Sequence, residues 1–102
     1  MVQIIWSEKS KNDLKDIYDF IAKNSKYYAA KTVTTLKNRT TILKTYKEIG
    51  KIVPEFEMET IRELIEGNYR IVYQIADSDR VEIVSVFHAS RDMKNAKLMD
   101  NE

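Results

Sequence analysis

The stretch that decides the fold is residues 61–92, IRELIEGNYRIVYQIADSDRVEIVSVFHASRD. Two groups of turn-forming residues, at 67–68 and 77–80, divide it into runs rich in β-branched and aromatic side chains. We therefore predict three consecutive strands that form an antiparallel meander. Apolar residues fall on both faces of the second and third runs, which indicates central strands covered on two sides. The predicted bounds are about 60–66, 69–76 and 81–88.

The same stretch carries four arginines and the single histidine of the chain, but no lysine. The planar guanidinium of arginine matches two oxygens of a phosphate or a carboxylate, whereas lysine offers a mobile point charge. Because side chains alternate along a strand, Arg70 should project from the sheet face turned away from the helices. Arg62, His88 and Arg91 could project onto that face as well. Together the four side chains would form a phosphate-binding surface.

Each of these residues also has a structural interpretation. Arg62 could pair with nearby glutamates, and His88 could satisfy a backbone group at the end of its strand. Arg70 lies within an otherwise apolar strand, so a desolvated guanidinium there needs a partner of some kind. Arg91 stands in the first turn of a predicted helix, where the helix dipole disfavours a cation, and this points to a compensating role.

The sequence before this stretch predicts a strand and two helices. Residues 2–6 form a β-rich apolar run, and Ser7 is placed to cap the helix that follows. Apolar residues then recur at three- and four-residue spacing over about 8–23, which indicates a first helix. A second helical face extends over 29–47, although its many β-branched residues lower its helix propensity. Gly50 should close that helix.

Together these elements predict an α/β (α+β) fold in one domain over residues 1–102. An N-terminal strand and an antiparallel helical hairpin should pack on a twisted, mainly antiparallel four-stranded sheet. A short C-terminal helix should begin at Ser90 and run to Leu98 or Met99.

Composition excludes several classes of function. The absence of cysteine excludes a disulfide framework, a thiolate metal site and a cysteine nucleophile. Two glycines are too few for a glycine-rich phosphate loop, and one histidine cannot supply a histidine pair for zinc. We therefore expect neither a metal nor a cofactor. The N-terminus lacks the features of a signal peptide and no apolar run approaches a membrane span, so we expect a cytoplasmic protein.

The net charge of +1 conceals an uneven distribution along the chain. Residues 1–53 hold eleven Lys or Arg and five Asp or Glu, whereas residues 54–102 hold six and eleven. The basic excess is concentrated over 23–51 and suits an acidic or polyanionic partner, with a solvated helix face as the alternative. The basic residues that we take as candidates for a partner surface are Lys23, Lys31, Lys37 and Arg39.

Five short motifs, in the same order along the chain, resemble the RelE/ParE superfamily of bacterial type II toxin–antitoxin toxins, in particular its ParE-like branch. The resemblance implies a helical hairpin packed on a mainly antiparallel sheet, and a cognate antitoxin that wraps the toxin and neutralises it. The motifs are Ile5-Trp6-Ser7, Asp13-Leu14 with Ile17 and Ile21, Ile61-Arg62-Glu63-Leu64, Tyr69-Arg70-Ile71-Val72-Tyr73, and Val86-Phe87-His88-Ala89-Ser90-Arg91.

The resemblance implies one of two targets. RelE-like members cut mRNA in the ribosome, whereas ParE-like members are associated with inhibition of DNA gyrase. Arg70 and Arg91 match arginines that RelE-like members place on the RNA phosphate, and His88 could serve as acid or base in a metal-independent attack by the 2′-hydroxyl. RelE-like members also supply further lysines, or a carboxylate and a terminal tyrosine. Here residues 54–60 contain no lysine, and no tyrosine follows Tyr73.

We therefore expect a plasmid-stabilisation-type, ParE-like toxin that binds DNA gyrase. A ribosome-dependent mRNA endoribonuclease is the first alternative, and a non-toxic relative that only binds antitoxin is the second. The antitoxin should form a hetero-oligomer with the chain by laying an acidic or amphipathic segment on the basic face of the helical hairpin.

Overall fold

The computed structural model describes residues 1–90, so the predicted C-terminal helix beyond Ser90, and Arg91 with it, lie outside the described residues. In this part of the chain no helix is both long enough and apolar enough to cross a membrane. The elements are β1 (Gln3–Trp6), α1 (Glu8–Ala22), α2 (Lys26–Arg39), a 3₁₀ segment (Thr40–Lys44), β2 (Lys51–Ile52), β3 (Ile61–Glu66), β4 (Tyr69–Asp77) and β5 (Arg80–His88).

The strands form one sheet in the order β1-β5-β4-β3-β2. β3, β4 and β5 make the antiparallel meander that the sequence predicts, and β1 pairs in parallel with β5. The prediction of four strands is wrong, because β2 adds a fifth at the edge beside β3. β2 has two residues, too few to show the alternation by which a strand is identified in a sequence.

Both helices begin at serine caps. The Ser7 side chain accepts a hydrogen bond from the Ser10 backbone N–H, and Ser25 does the same for Tyr28. The periodicity predicts a second helix that reaches Lys47, but α2 ends at Arg39 and the chain tightens into the 3₁₀ segment.

Threonine hydroxyls accompany this change of helix type. Thr40 donates to the Lys37 carbonyl at 2.7 Å, and Thr41 donates to the Asn38 carbonyl at 2.8 Å. Such local side-chain bonds compete with the α-helical pattern, which explains why the helical periodicity over 29–47 overstates the length of α2.

Gly50 does not close α2, and the reason for a glycine at this position is close packing. Its N–H donates to the Tyr73 hydroxyl at 2.9 Å. A Cβ at this position would lie 2.6 Å from that hydroxyl oxygen and 2.7 Å from the Glu63 carbonyl oxygen. The loop after the 3₁₀ segment can therefore approach the sheet only without a side chain here.

Apolar side chains cover the sheet on both faces, as the sequence predicts for β4 and β5. The helix face carries the larger cluster, in which leucines of the helical segments pack with strand residues. The opposite face carries a smaller cluster, closed by the loop between β2 and β3. The larger cluster includes Leu14, Leu36, Leu43, Leu64, Ile71, Tyr73, Val81, Ile83 and Val86, and the smaller one Val53, Ile61, Val72, Val84 and Phe87.

Candidate functional site

Arg70 lies on the face turned away from the helices, as alternation along β4 predicts, but two carboxylates already occupy its guanidinium. Nε donates to Glu63 at 2.5 Å, and the terminal nitrogens lie 3.3 and 3.4 Å from the Glu55 oxygens. The guanidinium carbon also lies 5.3 Å from the centre of the Phe87 ring. The Arg70 side chain is 13% exposed and that of Glu63 only 6%.

Electrostatics keeps this arginine charged. Burial lowers the pKa of Arg70, but the hydrogen bonds to Glu55 and Glu63 and the attraction of both carboxylates outweigh burial, so the pKa is raised. Glu63 was missed as the partner of Arg70 by sequence reasoning. The sequence does contain a signal for this pairing. The two-residue turn after Glu66 fixes the β3–β4 register and places the odd-numbered residues of β3 on the same face as Arg70.

Arg62 does not share the Arg70 face. In the β3–β4 register it is directly opposite Tyr73, and opposed residues of an antiparallel pair point to the same side of the sheet. Its guanidinium donates to the backbone carbonyls of Glu59, Glu48 and Gly50 at 2.9, 3.1 and 2.9 Å. The prediction that Arg62 and Arg70 share a face of the sheet is therefore wrong. Arg62 instead connects the loops on either side of β2 through hydrogen bonds.

His88 also lies apart from Arg70. It is opposite Tyr69 in the register, and the two rings meet edge to face with centres 5.7 Å apart. Its Nδ1 accepts from the Ser90 N–H at 3.3 Å and lies 2.8 Å from the Ser90 hydroxyl oxygen. The side chain opens towards α1, on the other side of the sheet from the Arg70 guanidinium. Within residues 1–90 the structure therefore does not assemble the expected phosphate-binding surface.

Two cavities flank Tyr69 at the end of the sheet. One of about 330 Å³ lies between α1 and the end of β5, and is lined by Asp16, Phe20 and His88 among others. The second, of about 300 Å³, lies between α2 and the β3–β4 turn and includes Tyr28 and Lys31 in its lining. Tyr69 borders both. We refer to the two cavities and their shared wall, Tyr69, as the Tyr69 groove.

A further groove runs between α1 and α2, and we call it the hairpin groove. Its cavity of about 300 Å³ has lysines at the rim and apolar or aromatic side chains beneath them. Two rim lysines also make exposed pairs within α1, Lys11 with Glu8 at 3.9 Å and Lys15 with Asp19 at 2.7 Å. The hydrogen bond to Asp19 raises the pKa of Lys15. The lining residues are Lys11, Leu14, Lys15, Tyr18, Val33 and Lys37.

The four basic residues proposed for the partner surface are divided among different places. Lys37 lines the hairpin groove, and Lys31 lines the Tyr69 groove. Lys23 lies over the Phe20 ring, 5.7 Å from its centre, and Arg39 pairs with Glu66 at 3.6 Å. In the described residues no group of three or more His, Cys, Asp or Glu side chains is placed to hold a metal ion.

Comparison with known proteins gives the family. The family described as "ParE toxin of type II toxin-antitoxin system, parDE" matches residues 4–93. Toxin RelE2 of Caulobacter vibrioides is 34% identical over 92 residues, which span 89% of this chain and 99% of that toxin.

Two solved structures share the fold. The chromosomal ParDE system from P. aeruginosa gives a TM-score of 0.71 at 19% identity and covers 88% of this chain and 98% of its own. The RelBE2 toxin–antitoxin complex from Mycobacterium tuberculosis gives a TM-score of 0.54 at 20% identity, and the match covers 85% of this chain and 96% of the chain in that complex. On the family match and the identity to a curated toxin, this chain belongs to the ParE toxin family of type II toxin–antitoxin systems, within the RelE/ParE superfamily.

Proposed function

We propose that this toxin acts by binding and inhibiting DNA gyrase, and that a cognate antitoxin neutralises it. The observation that carries the proposal is the pairing of Arg70. A nuclease would have to turn this guanidinium towards an RNA phosphate, away from Glu63, whose side chain is 6% exposed. Leaving a buried carboxylate without its partner costs about 3–5 kcal/mol, so the pairing opposes phosphate binding.

The position of His88 supports the same conclusion. General acid or base catalysis requires a group within about 3 Å of the reacting oxygen, on the side where the phosphate is held. His88 opens to the α1 side of the sheet, whereas Arg70 faces the loop between β2 and β3. Inhibition by binding needs no such convergence of catalytic groups.

A supercoiling assay tests the proposal. Purified gyrase, relaxed plasmid and ATP are incubated with increasing toxin, and we expect loss of supercoiling together with gyrase-dependent DNA breaks. Toxin premixed with its antitoxin is the control and should leave supercoiling intact. Unaltered supercoiling at saturating toxin would overturn gyrase as the target.

Ribosome-dependent mRNA cleavage is the second candidate, favoured by the identity of 34% to a protein named Toxin RelE2. It requires cuts at the A site of programmed ribosomes that disappear in Arg70→Ala. Arg70→Lys should be assayed beside Arg70→Ala, because lysine keeps a charge beside Glu63 while losing the planar fork. Persistence of intact mRNA would exclude this function.

The third candidate, a non-toxic relative that only binds antitoxin, is excluded if induced expression alone arrests growth.

We propose the hairpin groove as the first docking site of the antitoxin. Its lysine rim over an apolar floor is complementary to an amphipathic segment with acidic residues along its edges. Two of its lysines are in exposed ion pairs that contribute little stability and exchange readily with a partner's carboxylates. Both solved neighbours are toxin–antitoxin assemblies, which supports a partner of this kind.

A further inference from the structure

We infer that the Tyr69 groove is a second docking site, which takes a bipolar segment of the antitoxin. That segment would place an acidic side chain at the α2 end, apolar side chains on either side of Tyr69, and a basic side chain at the α1 end. The inference rests on the antitoxin part of the proposed function and is independent of whether gyrase is the target.

Exposed aromatic side chains mark the groove as an interaction surface. Phe20 is 71% exposed and Tyr28 is 59% exposed, one on each side of the half-buried Tyr69. The Tyr28 ring is held by an edge contact with Tyr27, their centres 5.1 Å apart. Contiguous exposed aromatic surface beside concave space is typical of binding sites, and tyrosine is among the residues that carry most binding energy.

The charges at the two ends of the groove are of opposite sign. Of the charged residues lining it, Glu66 pairs with Arg39 and Asp13 pairs with Lys9 at 3.1 Å. Two lining residues, Lys31 at the α2 end and Asp16 at the α1 end, have no ion-pair partner within residues 1–90.

Cations outside the lining also stand near the groove: besides Arg39 and Lys9, which pair with lining carboxylates, there is Lys23. Lys23 lies against the outer Phe20 ring near the α1 end, and His88 lines that cavity. Lys23 therefore offsets part of the negative charge at the α1 end, whereas Lys31 at the α2 end is not offset in this way. We expect the acidic contact of the segment at the α2 end to contribute more to binding than its basic contact at the α1 end.

A polypeptide segment fits this groove better than a nucleic acid strand. A strand of nucleic acid tracks a row of cations, and here a single unpaired lysine lines the described groove. The two cavities, of about 300 and 330 Å³, are each large enough for one bulky apolar side chain and its backbone. A segment that spans Tyr69 would bury the exposed rings of Phe20 and Tyr28.

Binding of the full-length toxin to its full-length cognate antitoxin tests the inference by calorimetry. We expect Tyr69→Ala to raise Kd by about tenfold or more, the effect of losing a central aromatic contact. Tyr46→Ala is the matched control, because Tyr46 is 60% exposed and lies outside the groove. Because Tyr69→Ala could perturb folding, Phe20→Ser at an exposed position serves as the second variant.

Charge reversal tests the polarity. Lys31→Glu should raise Kd by about tenfold and Asp16→Lys by about threefold, whereas Lys44→Glu and Asp79→Lys at exposed positions outside the groove should leave it within about twofold. Equal Kd values for groove variants and controls would overturn the second docking site while leaving the antitoxin partnership intact. Absence of any binding by the unaltered toxin would instead overturn the partnership. Binding of a labelled single-stranded oligonucleotide that is lost in Tyr69→Ala would overturn the assignment to a polypeptide.

Discussion

Tyr73 joins the loop before β2 to the sheet through its hydroxyl group. The hydroxyl donates to the Lys47 carbonyl at 2.8 Å and accepts from the Gly50 N–H at 2.9 Å. The side chain is fully buried. Burial raises the pKa of Tyr73 above its ordinary value of about 10, although the hydrogen bond from Gly50 works in the opposite direction.

We expect Tyr73→Phe to lose about 1–2 kcal/mol of unfolding free energy at neutral pH, because the Gly50 N–H and Lys47 carbonyl lose their partner. The native state holds the phenol proton more tightly than the unfolded state does. The contribution of Tyr73 is therefore complete below pH of about 10 and falls as pH rises through the folded-state pKa. Urea unfolding between neutral and alkaline pH should show the two proteins converging at high pH. A difference in unfolding free energy between the two proteins that stays constant with pH would contradict this role of the Tyr73 hydroxyl. Tyr46→Phe, at an exposed ring, is the control and should change the unfolding free energy at neither pH.

Arg70 and Glu63 are predicted to be coupled in stability. Arg70→Ala should cost about 3 kcal/mol, because it leaves the Glu63 carboxylate buried without its main partner. The double variant Arg70→Met with Glu63→Leu should recover most of that loss, because it removes both charges and keeps their volume. Denaturant unfolding of the single and double variants measures the coupling, and additive losses would refute it. The same unfolding curves show whether an activity that is lost in Arg70→Ala is lost because the variant unfolds.

At the scale of the elements, the sequence predicts best where one local signal decides the outcome. β4 and β5 agree with their predicted bounds to within a residue, since β-branched runs bounded by turn residues specify them. β2 is held by pairing with β3 and has no periodicity of its own. Arg62 could have been assigned to the helix face from the two-residue turn at 67–68, because the length of that turn fixes the register of β3 against β4. The ion pair between Glu55 and Arg70 depends on a loop path that no local pattern encodes.

Asp13 connects α1 to the edge of β5 beyond the end of β1. Its carboxylate accepts from the Ser85 hydroxyl at 2.8 Å and the Val86 N–H at 2.9 Å. Lys9 neutralises it at 3.1 Å. β1 pairs with β5 only as far as Ile83, so this helix side chain satisfies the strand edge where a neighbouring strand would otherwise do so.

We expect Asp13→Ala to cost about 2–3 kcal/mol, because a buried hydroxyl and a strand N–H lose their acceptor. Asp16→Ala, an exposed aspartate one turn away on α1, is the control and should change the stability by less than about 0.5 kcal/mol. Thermal unfolding gives the two losses, and amide exchange of Val86 should accelerate in Asp13→Ala. Unchanged protection of that amide would show that α1 does not hold the edge of β5.

At the scale of the whole molecule, the basic and the acidic parts of the sequence lie on different elements of the fold. The basic residues of 23–51 extend from the end of α1 through α2, the 3₁₀ segment and the loop after it to β2, whereas acidic residues dominate β3 and the loop before it. A molecule with +1 net charge can therefore still present a cationic face to an acidic partner.

The lysine rim of the hairpin groove predicts that toxin–antitoxin association is steered by charge. We expect the association rate constant to fall by about tenfold or more when salt rises from about 50 to 500 mM, with a much smaller change in the dissociation rate constant. Replacing Lys11, Lys15 and Lys37 together with glutamine should flatten this salt dependence, because these lysines rim the hairpin groove. Replacing Lys44, Lys47 and Lys51, which lie outside that groove, removes the same charge and should flatten it less. Stopped-flow measurements give both rate constants. An association rate indifferent to salt would mean that apolar contacts alone bring the partners together, and the hairpin groove would then lose its electrostatic role.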